Sequence, residues 1–531
     1  MNGAYLKEYE LELLGRNRIY TDAEEITVDN IFNVLNQAMT IHEINMYQML
    51  YLIRYEKGIQ PLVRKKTVRD DINIEVCDNL ANQIVEFKLG YNYGNPISFV
   101  QRGNKDISGN SPEKDDEAIT QLNEMNEAEC MYAKDQEMLR YMEICGIGYE
   151  MVDIKRDYDG SSVFDLHVPH PMYTFVVYKN DIGETPMMGV TFRQLENGDR
   201  YFTCYTKDSL YEVKNLGEIV NGVRKTTWSF NSPYVGYAGE KNPLGMIPIV
   251  EFIRSYDRMG VFERQIPDMN ALNVEVSDFA NAAAQSCQEI WWGNDFEFPV
   301  DPQTGEVVKP KTGGWLLTKT LANGKSPLIK AITSTFDYNN VQKNIESKRN
   351  SILQKCFVPL QSDPGGGSTA SAMSLSSGWT AAENSAMREE QLVRSGKQKV
   401  LALELAAIKV RSYLLDASPL VDLKLSDIYI KFTRQKTYDL GTKTNAMVAM
   451  IKAGIHGRIA MQTVDLFSDV AQAWADSKET IEKFQESLFV KKEDVNIEEK
   501  RETTDLTDQV SNSPILDGMN MEKPERDGDA S

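Results

Sequence analysis

The period of the apolar residues changes along this chain, and the two changes that bound its longest β-prone stretch limit the folds open to it. Between Gly148 and Phe252 the apolar residues come in short β-prone runs: "YEMVDI", "FDLHV", "TFVVY", "MGVTFRQL", "RYFTCYT", "LYEVK" and "KTTWSF". Asp159-Gly160, Asn197-Gly198 and Asn221-Gly222 separate several of them. Such pairs take the positive φ that tight hairpin turns need, so this stretch predicts antiparallel hairpins. On both sides the spacing returns to three and four, the signature of helices that bury one face. The fold class expected is therefore α+β, mainly helical, with the strands segregated. A chain of 531 residues also exceeds one ordinary core, so roughly two to four domains are expected.

Before the strands, helices are predicted over Asp29 to Lys57, about Asn73 to Leu89, and about Pro112 to Cys145. Gly58 and Pro61 stop the first, and Gly90, Gly94 and Pro96 turn the second into a strand. After the strands, "RQIPDMNALNVEVSDFANAAAQSCQEIWW" places Ile266, Met269, Leu272, Val276, Phe279, Ala283, Cys287 and Ile290 on one helical stripe. That stripe fits a core helix, and it equally fits a helix packed against copies of itself. Asp295 to Lys330 is short, β-like and interrupted by Pro and Gly, and Phe336 to Val358 is helical again. Trp379 to about Asp416 reads as one long helix, and shorter helices fill Asn445 to Phe489. From about Lys491 the chain is polar and acidic with almost no aromatic residues, which predicts a disordered tail.

The net charge of -20 argues against a general grip on a nucleic-acid backbone, which needs clustered Lys and Arg. It is compatible with a small basic strip, and with a surface that DNA passes without sticking. Cys77, Cys130, Cys145, Cys204, Cys287 and Cys356 form no CxxC pair, so reduced thiols are expected rather than metal clusters or disulfides. The opening "MNGAYLKEYELELLGR" lacks the apolar core of a secretory signal. No apolar run of about 18 residues predicts a membrane span.

Candidates for chemistry mostly fail on spacing. "PLQSDPGGGSTASAMSLSSGW", Pro359 to Trp379, offers Gly365, Gly366 and Gly367 followed by small residues. A phosphate-cradling loop needs G-x-x-x-x-G-K-[ST], and the nearest downstream lysine is Lys397, far along the next helix. "NGKS" at Asn323 to Ser326 has the right ending, but Lys319 stands at the required first glycine. His167 and His170 in "HVPH" lie three apart with Pro169 between them, which suits a turn better than a metal site. "KDDEA" at Lys114 to Ala118 reads as a helix start, where Asp115 and Asp116 favour the positive helix end. No catalytic residue, metal ligand or cofactor emerges. Lys343, Lys348, Arg349 and Lys355 form a basic cluster within Phe336 to Val358. It is either a solvated face balanced by Glu346 or a strip facing phosphates.

The order of these parts resembles the portal proteins of tailed bacteriophages, in the branch typical of long non-contractile tails. Five stretches carry the resemblance: "MYQMLYLIRYEKGIQPLVRK", "NLANQIVEFKLGYNYGNPISF", "ICGIGYEMVDI", "IPDMNALNVEVSDFANAAAQSCQEIWWGN" and the glycine loop with "SSGWTAAENSAMREEQ". The fourth holds a Ser-Asp-x-x-Asn signature at Ser277, Asp278 and Asn281. Together they span about residues 40 to 420.

The resemblance implies a portal fold assembling into a closed ring, dodecameric, at one capsid vertex of the virion, formed in the bacterial host cytoplasm. It implies a wing over 1–260, a first stem helix over 261–290, a clip over 291–335 and a second stem helix over 336–358. A tunnel loop over 359–372 would follow, carrying Asp363, Gly365, Gly366, Gly367, Ser368 and Thr369. Then come a joining helix over 373–419, a crown over 420–490 and an acidic tail over 491–531. Implied partners are double-stranded DNA in the channel, the terminase large subunit, major capsid and scaffolding proteins, and head-completion or connector proteins, with no membrane. Lys343, Lys348, Arg349 and Lys355 become candidate DNA contacts. Ile266, Met269, Leu272, Val276, Phe279, Ala283 and Ile290 become stem packing. The alternatives are a DNA-processing enzyme (nuclease or phosphoryl transfer) and another structural virion protein. Two long helices flanking a short β-rich insert favour the portal.

Overall fold

The computed structural model describes residues 15–62, 72–101, 113–158, 160–220, 223–231, 239–286, 290–294, 300–305, 328–332, 337–360, 378–415, 418–434 and 440–464, with short pieces up to 483. The expected loop residues Asp363, Gly365, Gly366, Gly367, Ser368 and Thr369 lie outside the described residues, as do most of the expected clip and the acidic tail. The chain divides into two units, 1–435 and 436–531.

The first unit is mixed α+β. It opens with β1 (Ile19–Thr21), α1 (Ile31–Glu56), α2 (Leu80–Tyr93), β2 (Ser98–Gln101), α3 (Glu113–Ala128) and α4 (Met131–Cys145). The strand-rich part holds β3 (Ile147–Ile154), β4 (Phe164–His167), β5 (Thr174–Lys179), β6 (Pro186–Gln194), β7 (Arg200–Tyr205), β8 (Ser209–Val220), β9 (Val223–Phe230), β10 (Glu240–Lys241) and β11 (Ile249–Ile253). Then follow α5 (Ile266–Ser286), the hairpin β12 (Ile290–Asn294) and β13 (Leu328–Ile332), α6 (Tyr338–Lys355), the long α7 (Trp379–Val410) and β14 (Ile428–Lys431). The second unit contributes α8 (Leu440–Lys452) and α9 (Gly457–Val464).

The expected hairpins form a seven-stranded sheet in the order β1-β5-β6-β7-β8-β10, with β9 also on β8; β1 joins β5 in parallel. Alternating residues Phe175, Val177, Met188, Val190, Phe192 and Phe202 make one apolar face. It packs against Ile31, Val34, Leu35, Ala38 and Met39 from the first half of α1. A second sheet, β11-β3-β4, sits in the larger core. There α4 packs on β3, and α7 crosses β3 and β11. Gly396 permits that crossing, because a Cβ there would lie 2.4 Å from the Phe252 ring.

Several boundaries differ from the sequence reading for local reasons. The second helix starts at Leu80, not Asn73, because Asn79 caps it and residues 74–78 bond elsewhere. It then runs through Gly90 to Tyr93. The single helix expected over Pro112 to Cys145 is two, broken where Cys130 adopts φ 54°. The break brings Glu129 to Leu166, whose N–H it accepts at 3.2 Å. The stripe helix ends at Ser286, so Ile290 enters a strand instead of the helix. The long helix ends at Val410 instead of Asp416, with a 3-10 turn over Ser412–Leu414. Finally, β14 pairs antiparallel with β2, which ties residues 428–431 to the first unit and divides the 420–490 segment.

Candidate nucleic-acid interface

Helices α5 and α6, joined through the β12–β13 hairpin, pack side by side. Ile266, Met269 and Leu272 of the stripe are buried, in one cluster with Ile345, Ile352 and Leu353 of α6. Val276 and Phe279 are only partly buried, and the Phe279 ring meets Tyr338 edge-on at 5.9 Å. Ala283 is likewise intermediate in burial. The first half of the stripe is thus core of its own chain, while the second half is half-open.

Three of the four basic residues on α6 face carboxylates of the same chain. Lys348 pairs with Glu275 and Lys355 with Asp268 (2.6 Å), both on α5. Arg349 donates from Nε and Nη2 to one oxygen of Asp78, at 2.9 and 2.6 Å. All three pairs are partly exposed, so each contributes little to stability. Among the described residues, Lys343 alone of the four has no ion-pair partner. It lines a shallow polar groove with Glu346, Ser347, Asn350 and Gln354 on the side of α6 away from Ile345 and Ile352.

The Ser277–Asn281 signature has a physical role that spacing alone could not give. Asn273, Ser277 and Asn281 lie one helical turn apart and are all buried. Asn281 accepts from Ile74 N–H and donates to its carbonyl, both at 2.8 Å. Ser277 accepts from Val76 N–H (3.0 Å) and Asn273 from Asp78 N–H (2.8 Å). Four residues of helix rise about 6 Å and two residues of extended chain about 6.6 Å. The two repeats match, so α5 grips an extended strap at every second residue. Asp78, at the strap's end, then receives Arg349 from α6. The strap thereby ties α5 and α6 to the body of the first unit. Its sequence signal is the polar row at four-residue spacing beside the apolar stripe; its partner is invisible before folding.

Buried charges concentrate where α7 meets the body. Lys397, already set aside as too far from the glycine loop to serve phosphate, donates to both oxygens of Glu150 (2.9 and 2.8 Å) and to Asp135. Burial alone would lower its pKa, but Asp135 and Glu150 outweigh that and raise it. Burial holds the Asp135 carboxyl well above the usual range in spite of Lys397. About two turns further along α7, burial pushes Glu404 up to about 7. Nearby, Arg254 bridges Glu143 (3.0 Å) and Glu389 (2.8 Å), and Asn92 donates to Glu389 at 2.6 Å. Burial and then the Glu389 charge push Glu143 up to about 7.

These perturbed groups sit in packed core between helices and sheet, not in a cleft, and they hold structure. Burial pushes the Cys145 thiol up to about 12 and the Cys356 thiol to about 11, so neither supplies a thiolate. His170 caps a short 3-10 turn by accepting from Met172 N–H at 3.2 Å, and its ring meets Tyr141 edge-on at 4.8 Å. It is a turn histidine. Among the described residues no group of three or more His, Cys, Asp or Glu is placed to hold a metal. Among them also, no helix is long and apolar enough to cross a membrane.

Comparison with known proteins gives one decisive match. Residues 44–487 match the family described as phage portal protein, SPP1 Gp6-like. No curated protein matches the chain. The matched span contains α5, α6, the strap and α7, and covers most of the 531 residues. This chain belongs to the SPP1 Gp6-like phage portal proteins, structural and non-enzymatic components of the capsid vertex through which viral DNA is packaged and ejected.

Proposed function

We propose that twelve copies of this chain close into a ring around the passing DNA, with α5 and α6 as its stem. In this reading residues 1–260 form the outer wing and 373–419 the joining helix. Residues 420–490 form the crown on the capsid side, with 428–431 held to the first unit by the β14–β2 pairing. The clip, 291–335, meets the terminase large subunit during packaging and head-completion or connector proteins afterwards. Major capsid and scaffolding proteins surround the ring. The loop 359–372, with Gly365 to Gly367, serves as the tunnel loop, a role that suits glycine because it admits backbone angles that other residues resist.

The observation that supports a DNA-facing α6 is its division of labour. Ile345, Ile352 and Leu353 turn to protein, and the opposite side is polar and carries Lys343. In a chain of net charge -20, a surface that is neutralised rather than strongly basic lets DNA slide, since tight binding scales with the number of phosphates neutralised. Lys348, Arg349 and Lys355 spend part of their charge on Glu275, Asp78 and Asp268. Lys343 is left as the more available cation. Negative-stain images of purified protein should show rings with a central hole; a monomer over wide ranges of concentration and salt refutes the ring. Neutralising Lys343, Lys348, Arg349 and Lys355 together should alter packaging or DNA retention while rings still form. Unchanged packaging in that variant removes the DNA-contact role.

A further inference from the structure

Helix α1 buries polar side chains and exposes apolar ones over its second half. It buries His42, Asn45, Gln48 and Glu56, while Ile44, Tyr47 and Leu50, three residues apart, stand 50%, 59% and 39% exposed. The orientation is held in place. His42 Nε2 lies 3.0 Å from the Met172 carbonyl oxygen. Asn45 exchanges two hydrogen bonds with the backbone of Asn17, each 2.8 Å. Glu56 pairs with Arg140 at 2.7 Å. Rotating the helix to bury Ile44, Tyr47 and Leu50 would strip these buried groups of their partners, which costs more than the apolar burial returns. The apolar stripe is therefore a fixed outward surface.

Its charge content says what covers it. The helix has 26 residues, of which Glu43, Arg54 and Glu56 are the charged ones. Glu43 is paired with Arg200 and Glu56 with Arg140. Nucleic acid would require cations on this face. Two copies of a chain with net charge -20 meet most readily through surface without unpaired carboxylates, and α1 itself contributes none among the described residues. We propose that the Ile44–Tyr47–Leu50 face of α1 seats a second copy of this chain in the ring contact. The proposal rests on the ring reading above. The contact is head-to-tail, so this face meets a different patch on the next copy and not its own image.

The test replaces all three residues at once: Ile44→Lys, Tyr47→Lys and Leu50→Lys. The charge moves from -20 to -17 (-20 + 3), so general repulsion between copies falls and cannot explain a loss of assembly. Mass photometry should show rings for the unaltered chain. The variant should be a monomer with an unchanged far-UV spectrum and melting temperature, its assembly weakened roughly 100-fold or more. A photo-crosslinking residue in place of Tyr47 should capture a second copy. Rings that persist in the triple variant overturn this proposal alone. So do crosslinks that form only within one chain, for example to residues 1–14, or only to another virion protein. An unaltered chain that forms no ring overturns the ring reading, and this proposal with it.

Discussion

Replacing Lys397 by Met tests the account of how α7 is anchored. The Lys397 side chain is 1% exposed, and its two acidic partners, Asp135 and Glu150, are 2% and 4% exposed. The ammonium supplies all three of its protons to carboxylate oxygens. Methionine fills nearly the same volume, so the change removes the charge and the donors and leaves little cavity. Removing one member of a buried ion pair leaves its partners uncompensated and costs about 3–5 kcal/mol. That is a large share of the roughly 5–15 kcal/mol by which a domain is stable. Guanidinium unfolding followed by far-UV dichroism measures it as the shift in midpoint multiplied by the slope. The cost should also depend on pH with a definite sign. Burial already holds the Asp135 carboxyl above its usual range with Lys397 beside it, and losing that cation raises it further, so the native state binds more protons and stability falls as pH rises. The penalty should therefore be larger at pH 8 than at pH 5. Combining Lys397→Met with Asp135→Asn and Glu150→Gln should recover much of the loss. A penalty below about 1 kcal/mol at neutral pH, or one that is the same at pH 5 and pH 8, would refute the reasoning built on the uncompensated-pair estimate.

Two further outcomes follow from the same structure. Glu404, raised from 4.5 to about 7, contributes stability that is present below its unfolded pKa and is lost as pH rises through about 7. Glu404→Gln should match the unaltered chain near pH 4 and exceed it above pH 7, by up to about 3 kcal/mol from the size of the shift; parallel pH profiles of the two midpoints would contradict this. Asn281→Ala leaves the N–H and carbonyl of Ile74 without the partner they bond at 2.8 Å. It should cost about 1–3 kcal/mol and speed hydrogen exchange at the Ile74 and Val76 amides while β3 amides stay protected. Unchanged exchange in the strap would mean that α5 does not hold it.

The legible part of this protein lay in periodicity and turn chemistry. The alternation from Gly148 to Phe252 and its Asn-Gly and Asp-Gly pairs gave the hairpins, because side-chain period and turn φ are local properties. The three- and four-residue stripes gave α1, α5, α6 and α7 for the same reason. Boundaries were harder. Asn79 offers a local cap for α2 at Leu80, but that residues 74–78 stay outside the helix depends on their bonds to α5; no local rule places the break at Cys130, beside which Glu129 reaches Leu166. The four basic residues of α6 stand out in the sequence, but which of them are paired does not. Asp78, Asp268 and Glu275 pair with them only after α5, α6 and the strap have come together.

By itself, then, the sequence determined the class of fold, the order of the helical and β-rich parts, and the ordered motifs that place the chain among portal proteins. These are written in contacts between near neighbours and in linear order. The tertiary structure decided which polar residues are buried and what each one faces: Lys397 between Asp135 and Glu150, Ser277 and Asn281 on the strap, His42 and Asn45 inward with Ile44 and Tyr47 outward. Partners more than a hundred residues apart become neighbours only when the chain packs. A buried polar group is tolerated only where such a partner satisfies it, so the direction each of these side chains faces follows from the fold.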